Sequence, residues 1–174
     1  MLFNYLSGIL LAAVEPEATT KKRDHDFGAE QKYIPCRIVD EDSGQLYLMF
    51  SSDSKTSDFI VDTLQEWWND ITPEQQQHTQ CIQIKVDNGS ETSGVRTQFL
   101  KRMVEFTDYI GKPIHLQDYP PYHSKYNPIE RCWGIQELHW NGAKLTDVLT
   151  MLLWARSMTW KARAAYREVE PQVL

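Results

Sequence analysis

Asp87 closes the run CIQIKVD and precedes Asn88-Gly89, and Glu130 follows 43 positions later inside PPYHSKYNPIERCWG, residues 120–134. Paired carboxylates held by stiff elements are what a Mg²⁺ site asks for, because this ion takes hard oxygen ligands in near-octahedral order. Two such ions about 3.5–4 Å apart can activate an attacking oxygen and stabilise a leaving one in phosphoryl transfer. Between the two acids lie Tyr122 and Tyr126, suited to stacking on bases, and Lys125 is suited to phosphate, as is Arg131 just after Glu130. Each residue also has a plain alternative. Asp87 fits a turn in Asp-Asn-Gly, the tyrosines fit loop packing, and Glu130 stands three residues after Asn127 as in a capping box, with Pro128 at the first helical position.

The elements that must position these groups can be read from hydrophobic period. In CIQIKV, Cys81, Gln83 and Lys85 alternate with Ile82, Ile84 and Val86, which is a strand with Asp87 at its carboxyl end. KYIPCRIVD and QLYLMF read as a hairpin joined through Asp40–Gly44. KTSDFIVDTLQEWWND reads as a helix capped by Ser57, and ITPEQQQHTQ as a loop. Phe99, Met103, Phe106 and Ile110 share one helical face that Gly111 ends. PIHLQDY reads as a short strand, a helix then runs from the Glu130 block to about Trp140, and a last helix from about Thr146 past Trp160. A hairpin followed by alternating helices and strands predicts an α/β fold, a mixed sheet with helices on both faces. The order fits a ribonuclease H-like sheet with its first strand missing, so that Asp87 and Glu130 would meet at one end of it, within about 10 Å.

Composition narrows the class. The chain has 174 residues, 41% hydrophobic and 24% charged, which suits one globular domain. Its net charge of −6 is unevenly spread: residues 1–87 carry 15 acidic and 7 basic groups, residues 88–174 carry 9 and 11. A DNA-facing surface therefore belongs to the second half, with little help from bulk charge. Cys36, Cys81 and Cys132 lie far apart with no paired Cys/His spacing, which argues against a zinc site or disulfide framework and for a reducing, cytoplasmic setting. The apolar opening MLFNYLSGILLAAVEPE is too short to span a bilayer and lacks a basic leader, so no membrane association is expected.

The segments DNGSETSG, RTQFLKRMVEF, PPYHSKYNPIERCWG, HWNG and MTWK, together with DHDFG, DSGQLYL and KTSDFIVD, occur in one order between Asp24 and Lys161. Together they resemble the catalytic domain of a DDE-type insertion-sequence transposase, in particular a group with a DNGPENSG-like segment and this PPYHSKYNPIERxWG block. The resemblance implies a ribonuclease H-like (retroviral-integrase-like) fold and metal-dependent cleavage and joining of DNA. It further implies a two-ion Mg²⁺ or Mn²⁺ site, with Asp87 and Glu130 as second and third catalytic carboxylates. Transposon ends and target DNA would be the partners, with self-association or association with an intact transposase as further expectations.

The chain departs from that pattern at several points. The group's first aspartate precedes the DHDFG segment on the central strand, and residues 1–23 contain no matching Asp-x-Lys strand. Ser90, Thr92 and Asp118 stand where the group usually has Pro, Asn and an aromatic residue. The expected division is thus a divergent segment at 1–23, a truncated and inactive catalytic domain at 24–161, and a divergent tail at 162–174. Leu2–Val14 is expected to dock against the gap in the sheet, as strand or helix, without restoring an acid, since Glu15 and Glu17 lie beyond it. Two other readings are a non-enzymatic remnant used as an interaction module and a metal-dependent nuclease of the same fold.

Overall fold

The computed structural model describes residues 6–13, 34–51, 56–86, 96–118, 134–135, 138–139, 148–160 and 163–164. Five strands form the main sheet: β1 (Leu6–Ala13), β2 (Ile34–Asp40), β3 (Leu46–Ser51), β4 (Cys81–Val86) and β5 (Ile114–Asp118). Their order is β3-β2-β1-β4-β5, with β1 antiparallel to β2 and parallel to β4, and β4 parallel to β5. The helices are α1 (Ser57–Asp70), α2 (Pro73–His78), α3 (Thr97–Ile110) and α4 (Val148–Ser157), followed by the small pair β6 (Thr159–Trp160) and β7 (Arg163–Ala164).

The central position corrects the expectation of a sheet without its first strand. Leu6–Ala13 fills it, pairing Ile9–Ala13 with Asp40–Cys36 on one side and Leu6–Leu11 with Cys81–Val86 on the other. The physical reason is the cost of leaving two strands with unpaired backbone groups at a gap. An apolar run of eight residues satisfies both neighbours with its own donors and acceptors. The expectation that this segment covers the gap holds, in its strand form.

The hairpin follows from its turn chemistry. The Asp42 and Ser43 amides donate to Asp40 Oδ1 at 2.9 and 3.0 Å, and the Gly44 amide donates to the Asp40 carbonyl at 2.8 Å. Gly44 has φ 70°, a left-handed conformation that glycine adopts without a Cβ penalty. Beyond the turn, Asp40 N–H donates to the Gln45 carbonyl and starts the ladder that pairs Ile34–Val39 with Ser51–Leu46.

Both faces of β2 are buried. Cys36 and Ile38 join the core on the face that carries α1 and α3, and Arg37 and Val39 are equally inaccessible on the other. In β4 the alternation is as read from sequence: Ile82, Ile84 and Val86 are buried, and Cys81, Gln83 and Lys85 half-buried. α3 contributes Phe99, Met103, Phe106 and Ile110, and α1 contributes Ile60, Val61, Leu64, Trp67 and Trp68. Burying one such large apolar side chain stabilises the fold by about 1.5–3 kcal/mol, so this face dominates the cohesion of the described sheet. Gly111 ends α3 with φ 62°, its amide donating to the Thr107 carbonyl.

At the rim the two helices are laced by polar groups. Arg102 of α3 meets Asp58 and Asp62 of α1 and its own neighbour Glu105. Gln98 donates to Asp58 and the Tyr109 hydroxyl donates to Asn69 Oδ1 at 2.8 Å. The hydrogen bond to Glu105, joined by the charges of Asp62, Glu105 and Asp58, raises the Arg102 pKa against the opposing effect of burial.

Three local expectations are corrected. Thr56, not Ser57, caps α1: its Oγ1 accepts from the Phe59 amide at 3.1 Å, while Ser57 is the first helical residue and is buried. The ITPEQQQHTQ stretch contains a helix, α2, closed by a reciprocal box in which Gln75 N–H donates to Thr72 Oγ1 and Thr72 N–H to Gln75 Oε1. It buries none of its residues, so no apolar period announces it. The last helix stops at Ser157, whose hydroxyl donates to the Trp154 carbonyl, and buried Met158 leads into β6.

Candidate functional site

The parallel arrangement of β1, β4 and β5 brings three carboxyl ends to one end of the sheet. Leu11 of β1 is the partner of Val86, and Val86 is the partner of Asp118 on β5. Beyond Val86 the sequence supplies Asp87. This is the end at which open α/β sheets place their sites. Asp87 itself, together with Glu130, Tyr122, Lys125, Tyr126 and Arg131, lies outside the described residues, as do Asn127 and Pro128. The expected approach of Asp87 and Glu130 falls on the same undescribed residues. Within the stretch read as the helix after Glu130, residues 134–135 and 138–139 are helical.

The described surroundings of this end have a clear electrostatic character. Lys85, two residues before Asp87, is half-buried and paired with Glu41 across the sheet. Arg37 is fully buried on β2, in register with Ala12 of β1 and Leu48 of β3. Asp118 is exposed at the end of β5. Asp118 is the described acid beside the last residue of β4. Its signal was only its departure from an aromatic residue, because its place beside β4 depends on a long crossover.

The fit to a divalent cation can be judged from the donor set. The central strand reads LSGILLAA, and Ser7 carries its one side-chain oxygen. Ser7 pairs with Ile82, near the start of β4 and far from Val86. The strand thus brings no carboxylate to the end where β4 stops, and the residues of β1 do not fit a metal ligand role. Among the described residues no group of three His, Cys, Asp or Glu side chains could hold a metal ion.

Elsewhere the described surface is unremarkable for chemistry. A small hollow lined by Asp40, Asp42, Trp67, Ile71, Gln75 and Thr79 lies at the other end, by the start of β4. Cys81 carries a free thiol, and no described helix is long and apolar enough to cross a membrane.

No curated protein matches the chain. A family model does: residues 13–174 match the Rhodopirellula transposase DDE domain, a stretch that begins at the last residue of β1 and runs through the segment after Lys161. Families of this kind generally use divalent metal and act on DNA. Matched over nearly its whole length, the chain belongs to the DDE transposase family of insertion sequences.

Proposed function

We propose that this chain is a ribonuclease H-like DDE transposase domain, built for metal-dependent cleavage and joining of DNA but catalytically impaired. In this reading Asp87 and Glu130 are the carboxylates that would hold Mg²⁺ or Mn²⁺. Tyr122 and Tyr126 stack on bases, and Lys125 and Arg131 meet phosphates. The observation that carries it is the parallel sheet of β1, β4 and β5, whose β4 stops one residue before Asp87. The strand order, with an antiparallel hairpin on one side and parallel strands on the other, supports the ribonuclease H-like assignment.

The impairment follows from the donor set. Phosphoryl transfer by paired cations needs several rigid oxygen ligands, and the central strand supplies none. DNA contact does not depend on the cation in the same way. A loop with aromatic and basic groups binds through stacking and phosphate charge, so binding should outlast the loss of catalysis.

The test is a pair of assays on the purified protein, which this reading assigns to the cytoplasm. Nicking and strand transfer of labelled DNA ends in Mg²⁺ or Mn²⁺ should be absent. Fluorescence anisotropy should show salt-sensitive DNA binding, weakened in Lys125→Ala and Arg131→Ala. Robust metal-dependent joining that Asp87→Ala abolishes would overturn the impairment, and binding indifferent to both substitutions would overturn the DNA-facing assignment. A second reading, an interaction module that pairs with itself or with an intact transposase, is favoured by the exposed apolar residues Ile135, Leu138, Leu153 and Trp154. A nuclease of the same fold would share the missing ligand.

A further inference from the structure

We infer that the hollow by the start of β4 is a binding site for a primary carboxamide, held between the Trp67 indole and the Asp40 carboxylate. It lies away from the carboxyl ends of β1, β4 and β5, so it is independent of the proposed DNA chemistry. Three parts of the fold meet there. Trp67 and Ile71 belong to the last turn and C-cap of α1, Asp40 and Asp42 to the β2–β3 hairpin, and Gln75 and Thr79 to α2 and its C-cap. The floor is buried and the rim is exposed. Trp67 is 3% exposed, Thr79 4%, Ile71 7% and Asp40 8%, whereas Asp42 and Gln75 reach solvent. The hollow has a volume of ≈ 90 Å³. One ordered water needs only about 10–15 Å³ of such space, so a small molecule has room.

The polar groups around the hollow do not satisfy one another. Trp67 Nε1 is buried and donates to none of the described residues. A buried indole N–H left in that way bears its full desolvation penalty, which an entering acceptor relieves. The oxygens of Gln75 are already taken: Oε1 accepts from the Thr72 amide, and the carbonyl accepts from the Thr79 hydroxyl at 2.8 Å. On the opposite partner, the Asp42 and Ser43 amides both donate to Asp40 Oδ1, and neither bond uses Oδ2.

These groups select the chemistry of the ligand. The indole asks for an acceptor and the carboxylate asks for donors. A carboxylate or phosphate would supply the first, but Asp40, Asp42 and the negative end of the α1 dipole would repel it. An amine or guanidinium would supply the second and leave the indole unpaired. A primary amide carries both on one carbon. Its carbonyl oxygen accepts from Trp67 Nε1–H, and its NH₂ donates to Asp40 in a charge-assisted bond. Ile71 and the indole ring give its apolar body a wall to rest against.

The experiment titrates acetamide into the ¹⁵N-labelled full chain and follows the Trp67 indole N–H, assigned by triple-resonance NMR. The resonance should move saturably, with half-saturation at about 10–100 mM for so small a ligand. N,N-dimethylacetamide keeps the acceptor without donors, and acetamidinium keeps the donors without an acceptor. Each should require at least about tenfold higher concentration, and acetate should not bind. Asp40→Asn retains Oδ1 for the turn and replaces Oδ2 by an NH₂ group. It should weaken acetamide at least about tenfold while the far-ultraviolet circular dichroism stays unchanged. A shift that stays linear up to about 1 M acetamide would overturn the inference. So would dimethylacetamide as effective as acetamide, since the carboxylate would then play no part. An indole that exchanges magnetisation with a long-lived water and ignores acetamide would assign the hollow to solvent, and would overturn it equally. These wild-type outcomes stand whether or not the Asp40 variant folds.

Discussion

Arg102 on α3 and Asp62 on α1 are joined directly, across the seam between the two helices that cover the same face of the sheet. Asp58 and Glu105 hold the same guanidinium from either side. These partners are about half exposed, so the bridge orients the helices more than it stabilises them.

Replacing Arg102 with Met should therefore cost only about 0.5–1 kcal/mol in urea denaturation, and raised salt should shrink the difference. The pH dependence has a defined sign. A pKa raised by folding adds stability that is complete below the unfolded value and is lost as pH rises through the folded one. For an arginine this lies far above neutrality, so the wild-type-to-variant difference should stay flat between about pH 6 and 9. A difference that changes steeply in that window would show that another titrating group controls the seam.

Phe99→Ala tests the core beneath that seam. Phe99 is fully buried between α3 and the sheet, and its truncation should cost about 3–5 kcal/mol. Val104→Ala, on the exposed side of the same helix, should stay within about 0.5 kcal/mol. Comparable losses for the two would contradict the assignment of faces.

Thr56→Ala should cost about 1 kcal/mol, because the Phe59 amide loses its acceptor at the start of α1. Thr72→Ala should act locally instead. α2 buries none of its residues, so loss of the box with Gln75 should speed amide exchange in residues 73–78 with little change in global stability. A global loss like that of Thr56→Ala would mean α2 is coupled to the core more firmly than its exposure indicates.

Much of this architecture was legible in sequence, and the parts that were not have specific causes. The alternation in β4, the stripe Phe99–Met103–Phe106–Ile110 and the Gly111 stop each express a period or a conformational need that one sequence carries. β1 is different. LSGILLAA is an apolar run broken only by Ser7 and Gly8, equally compatible with a buried strand or helix, and only its two neighbours decide. α2 has caps and no apolar face, so hydrophobic period does not reveal it, although Thr72-Pro73-Glu74-Gln75 carries the signature of its start. At the site, Asp87 and Glu130 were nominated by flanking residues and by resemblance. The place of Asp118 beside Val86 required the parallel crossover itself, which no local pattern encodes.

Deleting residues 1–14 should strip the sheet of its central strand, and the product should be less soluble and less resistant to urea. A shortened protein as soluble, monomeric and stable as the full chain would show that β1 supports nothing.

β1 joins β2 on one side and β4 on the other through main-chain pairing. The sheet is therefore divisible into a frame and an insert. A synthetic peptide of the Leu2–Val14 sequence, added to the shortened chain, should enter the vacated groove and recover its fold, as fragments of split proteins do. The insert then becomes a variable that chemistry controls, because peptides of altered sequence can be exchanged into a frame that stays constant.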